Sequence, residues 1–153
     1  MYIESMSESN LWKTVKRNLP SDCYATRIEN RHGGGIPDTY IIWNGLSFWI
    51  ELKVMKGNKI LIIPHKIAWN TVHCKNNGVS FFLVKDPRDK SIYLFDGFRA
   101  SELLDNGLRT MNLYSGKDYK ELFSVIRDFG SGKIGSGLIF SGQKGGIKVC
   151  CNI

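Results

Sequence analysis

Hydrophobic residues along the chain follow two spacings, one helical and one strand-like. From Ser7 to Leu19, Leu11, Val15 and Leu19 recur at every fourth position, which predicts a first helix over 7–19 with Ser7 as N-cap and Pro20 as stop. Residues 22–30 predict a strand. Thr39–Trp43 and Leu46–Val54 are rich in β-branched and aromatic residues, and Asn44-Gly45 between them is the favoured two-residue hairpin loop. An apolar stretch over 60–63 leads to Pro64, which opens a helix to about Asn77 with Gly78 as its stop. Val79–Val84 has the length of a buried strand, and 91–95 predicts a further short one after the turn Asp86–Lys90. Two more helices are expected near 98–105 and 117–128, closed by Asn106-Gly107 and Gly130. The order predicts an α/β (α+β) fold, a mixed sheet flanked by helices.

A chain of 153 residues can bury a real core as one domain. The expected division is a single domain over 1–129, with a core over about 7–95 and a helical extension over 96–129. A glycine-rich basic tail follows over 130–153. No acid follows Asp128, so Lys133, Lys144 and Lys148 leave that tail positive. It reads as a loosely packed terminus or as a basic arm that tracks a phosphate backbone. No apolar run approaches the ~18–20 residues that span a bilayer, so no membrane partner is expected. Cys23, Cys74, Cys150 and Cys151 show no CxxC or zinc-ligand spacing, and free thiols in a cytoplasmic protein are expected. The net charge of +7 permits a polyanionic partner without identifying one.

The charges in the hairpin change this picture. Glu51 and Lys53 alternate to one face of their strand while Ile50 and Leu52 point to the other. With Asn44-Gly45 as the loop, Trp43 pairs with Leu46 and Thr39 with Ile50, which sets Asp38 opposite Glu51. Two facing carboxylates repel unless a cation sits between them. Mg²⁺ suits such a site, being hard, octahedral and reluctant to lose all its waters. Beside a phosphodiester it can activate a water and offset charge on the leaving oxygen. Lys53 is placed to position that water or to neutralise the transition state. The glycines at 33–35 allow close approach to a bulky ligand. Taken singly, a Pro-Asp pair reads as a turn and a Glu-x-Lys strand as a solvated face.

Pro37-Asp38 followed by Glu51-Leu52-Lys53 resembles the PD-(D/E)xK nuclease superfamily in spacing and in strand position. Gly-Ile-Pro-Asp, Trp-Ile-Glu-Leu-Lys and Pro-His-Lys-Ile-Ala-Trp look most like its VRR-NUC branch, which includes phage-type nucleases. The resemblance covers about residues 7–95 and implies a restriction-endonuclease-like αβββαβ core, here with a C-terminal helical extension. It implies Mg²⁺-dependent DNA hydrolysis, with Mn²⁺ as a substitute. Asp38, Glu51 and the backbone carbonyl of Leu52 become metal ligands, and Lys53 the catalytic lysine. Glu8 matches the acid that many members carry on the first helix, and reads equally as a first-turn glutamate favoured by the helix dipole.

Related nucleases often carry a glutamine near the position of Lys66. Lys66, Asn70 and His73 share a helical spacing and are candidate phosphate contacts, or else a solvated face. Arg31, His32 and Lys56 are further candidate DNA contacts. Among the tryptophans, Trp12, Trp49 and Trp69 read as core, and Trp43 beside the turn is the one that suggests base stacking.

The leading expectation is a structure-selective endonuclease acting on a Holliday junction or other branched DNA. No helix-turn-helix or zinc finger is visible for reading sequence, and two symmetric cuts would call for a two-fold homodimer. Such an enzyme works in the cytoplasm, the host's where the chain is phage-encoded. A site-specific restriction-like nuclease and a non-catalytic nucleic-acid-binding module of the same fold are the alternatives.

Overall fold

The computed structural model describes residues 6–28 and 34–132. The first helix, α1 (Glu8–Arg17), starts where Ser7 Oγ accepts the Asn10 N–H at 3.2 Å. Glu8 in its first turn and Lys16 and Arg17 in its last complement the helix dipole. Leu11 and Val15 are its buried stripe. Strand β1 (Cys23–Arg27) pairs antiparallel with β2 (Thr39–Trp43), which pairs antiparallel with β3 (Leu46–Val54). The hairpin register is the one its loop dictates, with Trp43 opposite Leu46 and Thr39 opposite Ile50. Asn44 and Gly45 both take positive φ, 49° and 77°, as the tight loop requires.

Helix α2 (Pro64–Lys75) then carries the chain across to β4 (Ser80–Lys85), which lies parallel to β3. A parallel neighbour needs such a crossover, because no short loop can return the chain in the same direction. The left-handed residue that ends α2 is Asn77, at φ 64°, one position before the expected Gly78. Gly78 is needed for space instead, since a Cβ there would strike the His73 ring.

Strands β5 (Ile92–Asp96) and β6 (Tyr114–Gly116) complete a six-stranded mixed sheet in the order β1-β2-β3-β4-β5-β6. Between them a 3₁₀ turn, Gly97–Arg99, leads into α3 (Ala100–Asn106), and a second, Gly107–Arg109, follows it. The last described helix is α4 (Tyr119–Gly130). The αβββαβ order expected of a restriction-endonuclease-like core is present from α1 to β4.

Strand β4 is buried along its whole length because both faces are covered. Phe81 and Leu83 pack with Leu11 and Val15 of α1 and with Leu122, Phe123, Ile126 and Phe129 of α4. Phe82 and Val84 face the other way, toward Ile60, Ile62, Phe95, Ala100 and Leu103. The C-terminal helix thus fills the same core layer as the first. The expected tail beyond residue 132 lies outside the described residues, as do Cys150 and Cys151. Cys23 and Cys74 are free thiols. Among the described residues no helix is long and apolar enough to cross a membrane.

Candidate active site

Antiparallel pairing of β2 and β3 brings the charges of the hairpin together. The Asp38 N–H donates to Glu51 Oε2 at 3.1 Å, and the Leu52 N–H donates to Asp38 Oδ2 at 3.3 Å. Lys53 Nζ lies 3.6 Å from Glu51 Oε1 and 3.8 Å from Glu8 Oε1. Asp38, Glu51, Lys53 and Glu8 therefore converge, drawn from the hairpin and from the first turn of α1. The loop before Asp38 is set by Gly35, at φ +74°, where a Cβ would strike the His65 carbonyl and crowd Trp69. Only glycine lets this loop lie flat against the start of α2.

Glu51 is 2% exposed, and its carboxyl is pushed up to about 7. Burial is the larger cause and the neighbouring Asp38 charge the next, while Lys66 and Lys53 pull in the opposite direction. The nearest ammonium is that of Lys66. Its Nζ donates to Glu51 Oε2 at 2.9 Å and to the Ile36 carbonyl at 2.6 Å, and it stands 3.8 Å from Asp38 Oδ1. Lys66 reaches the site from α2, so its place among the carboxylates depends on tertiary packing rather than on hairpin register.

The other candidates on α2 do not share a solvated face with it. Asn70 is fully buried: its amide donates to the Lys66 carbonyl at 2.7 Å, and its Oδ1 accepts from Ser80 Oγ at 2.7 Å. The first bond lies within α2 and the second ties α2 to β4, so a DNA contact at Asn70 is corrected to a structural bracket. His73 is half-buried and stacks on Trp69 at 4.4 Å and 18°, with burial pulling its imidazole pKa down. Lys56 is exposed in the turn that bridges to Lys59, beyond the end of β3. Arg31 and His32 lie outside the described residues.

The tryptophans trade roles. Trp43 is 8% exposed, donates to Asp22 Oδ1 at 3.0 Å and meets Phe123 edge-on, so it is core. Trp49 and Trp69, expected in the core, are half-buried members of a row Tyr40–Trp49–Trp69–His73 with neighbouring centroids 4.4–5.6 Å apart. Tyr40 and Trp49 are cross-strand partners, which is the signal in the sequence that could have found the row. A concavity of about 610 Å³ is lined by residues from Met55–Leu61, Arg88 and Leu104–Arg109 and includes none of the converging charges.

No protein-family model matches the chain, and no curated protein matches it. Among solved structures it is similar to Hjc, a Holliday junction resolvase from the archaeal hyperthermophile Archaeoglobus fulgidus. The two share 17% identity and a TM-score of 0.42, over 58% of this chain and 72% of that one.

The chemistry of the donors can be tested against a divalent cation. Among the described residues no three His, Cys, Asp or Glu side chains are gathered into a metal cluster. A two-carboxylate site fits a hard ion that keeps several waters or phosphate oxygens, as Mg²⁺ does, and does not fit a zinc cage. The Leu52 peptide lies against Asp38, and a positive group already stands among the oxygens in the form of the Lys66 ammonium. The two carboxylates fit a hard divalent cation of this kind.

Proposed function

We propose that the chain is a metal-dependent DNA endonuclease of the PD-(D/E)xK superfamily, of the VRR-NUC kind, that hydrolyses phosphodiester bonds in branched DNA. The observation that carries this reading is the cross-hairpin pairing of Asp38 and Glu51 with Lys53 on the same edge of the site. A buried carboxylate facing a second carboxylate is unfavourable without a cation, and two clustered acids repel DNA unless a metal lies between.

In this reading Asp38, Glu51 and the Leu52 carbonyl hold Mg²⁺, or Mn²⁺ in its place. Bound there, the ion supplies an activated water and offsets charge on the scissile phosphate. Lys53 keeps its ammonium beside Glu51 Oε1, where it can bind a phosphate oxygen and stabilise the extra negative charge of the transition state. Glu8, 3.8 Å away, helps to orient that ammonium. The Gly35 turn keeps the loop clear for a phosphate backbone. Arg31, His32, Lys56 and His73 supply outlying DNA contacts.

The architecture supports a preference for branched over linear DNA. Among the described residues every helix packs on the one sheet, and none forms a separate module for reading base edges. Recognition then rests on shape, and a two-fold homodimer would deliver two symmetric cuts. The nuclease domain in this reading extends over 1–129, with 130–153 as a basic tail, and it works in the cytoplasm.

The test is cleavage of a labelled four-way junction beside linear duplex and single-stranded DNA, in Mg²⁺ or in EDTA, with Lys53→Ala as the matched control. Metal-dependent cutting confined to the junction and lost in the variant is expected. Cutting of linear duplex at one short sequence would make the enzyme restriction-like. Binding in Mg²⁺ and in Mn²⁺ without any cutting would make it a non-catalytic DNA-binding module.

A further inference from the structure

The two lysines divide the oxygens of Glu51 between them. Lys53 faces Oε1 at 3.6 Å, and Lys66 donates to Oε2 at 2.9 Å. Lys66 is also gripped on its other sides. Its second bond, at 2.6 Å, is to the Ile36 carbonyl, which the Gly35 turn presents. Its own carbonyl accepts the Asn70 amide, and Asn70 is pinned to Ser80 of β4. The side chain is 15% exposed. This placement is a built contact and not a surface lysine lying where it can.

The lone pairs of Oε2 that accept from Lys66 are among those that a divalent ion shared by Glu51 and Asp38 would need. Charge points the same way. Asp38, Glu51 and Glu8 carry three negative charges against two on Lys53 and Lys66, so a dication added with both ammoniums in place leaves a local excess of one positive charge. That excess falls if Lys66 gives up its carboxylate and turns to a phosphate oxygen of the substrate. A lysine ammonium is suited to this, being a compact charge on a flexible stem.

We propose that Lys66 is the resident counter-ion of the carboxylate pair, that it yields Glu51 Oε2 as a divalent cation binds, and that it thereby sets how tightly the site takes that cation. The inference rests on the metal-site reading above. It makes Lys66 a positioning residue whose exchange couples cation binding to DNA binding, and such coupling is reciprocal.

Mn²⁺ binding to the full chain without DNA, read from the electron paramagnetic resonance of the free ion, tests it in the wild type, Lys66→Gln and Lys66→Arg. Lys66→Gln should bind Mn²⁺ about tenfold more tightly, within the range usual for coupled sites. In EDTA the same variant should melt at a lower temperature, because its carboxylates then face each other with less positive charge nearby. A lysine that merely props up the loop would weaken both properties when removed. Lys66→Arg keeps the charge and should bind no more tightly than the wild type. In the wild type, Mn²⁺ should raise the reactivity of Lys66 toward an amine-acetylating reagent, which keeps the proposal testable should Lys66→Gln fail to fold. Equal or weaker Mn²⁺ binding by Lys66→Gln, or a Lys66 whose reactivity ignores Mn²⁺, overturns the exchange and leaves the metal site standing. No Mn²⁺ binding by any of the three proteins, with or without DNA, overturns the metal site itself.

Discussion

Replacing Glu51 by glutamine should make the protein more stable and leave it unable to cut DNA. Glutamine is close in shape to the protonated acid, so the variant stands in for the wild type with a neutral Glu51. The carboxyl rises from its ordinary 4.5 to about 7 on folding, chiefly through burial and next through Asp38. At about 1.4 kcal/mol per tenfold change in proton affinity, ionising it in the folded protein costs roughly 3 kcal/mol. The sign follows from proton counting. Below pH 4.5 the acid is neutral in both states and the two proteins should match. Between pH 4.5 and 7 the folded chain keeps a proton that the unfolded chain has lost, so wild-type stability falls as pH rises. Above pH 7 the gap stays constant. For a chain of this size it amounts to roughly 6–12 °C in melting temperature.

Thermal melts of both proteins in EDTA, from pH 4.5 to 8.5, read that gap directly. Asp96, a second buried carboxyl raised to about 6, is present in both proteins and cancels in the difference. Parallel wild-type and variant curves over this range, or a Glu51→Gln protein less stable at pH 8, would refute the reasoning. A gain in stability joined to a loss of cleavage would identify Glu51 as a group kept for function against the interest of the fold.

Three further outcomes are expected. Asn70→Ala should lose about 1–3 kcal/mol in urea denaturation, since Ser80 is left buried without its acceptor, while DNA affinity measured by anisotropy stays unchanged. Gly35→Ala should lose about 2–4 kcal/mol, from the positive φ and the clash with the His65 carbonyl, and should lower cleavage by shifting the Ile36 carbonyl and Asp38. Glu8→Gln should change stability by less than about 1 kcal/mol, because Glu8 is 45% exposed, yet should reduce cleavage at limiting Mg²⁺. Unaltered cleavage in that variant would leave Glu8 as a helix-end charge alone.

The parts of the fold legible in the sequence are those fixed by local rules. Asn44-Gly45 imposes a register, and that register alone carries Asp38 to Glu51 without any tertiary contact. Ser7, Pro20 and Pro64 mark helix ends by the same kind of local chemistry. What the sequence concealed depends on partners far along the chain. A helical wheel places the polar Asn70 beside Lys66, and nothing local announces that Ser80 of β4 will draw it inward. Strand β6 has three residues, too few for a period to show, and it forms because Ile92–Leu94 offers an edge to pair with. Trp49 and Trp69 read as core because hydrophobicity cannot tell a covered sheet face from one that a single helix half covers.

The parallel pairing of β3 with β4 has a consequence for the order in which the molecule assembles. The β2–β3 hairpin is local and can close on its own within microseconds, bringing Asp38 and Glu51 together before α2 has docked. Lys66 arrives only when the crossover is complete and the longer loop has been closed. Early folding is thus held back by a repulsion that Lys66 partly offsets in the finished protein. In kinetic terms, Lys66→Gln should speed unfolding far more than it slows folding, which a denaturant series of relaxation rates would show. The reverse partition would mean that the helix docks before the hairpin closes.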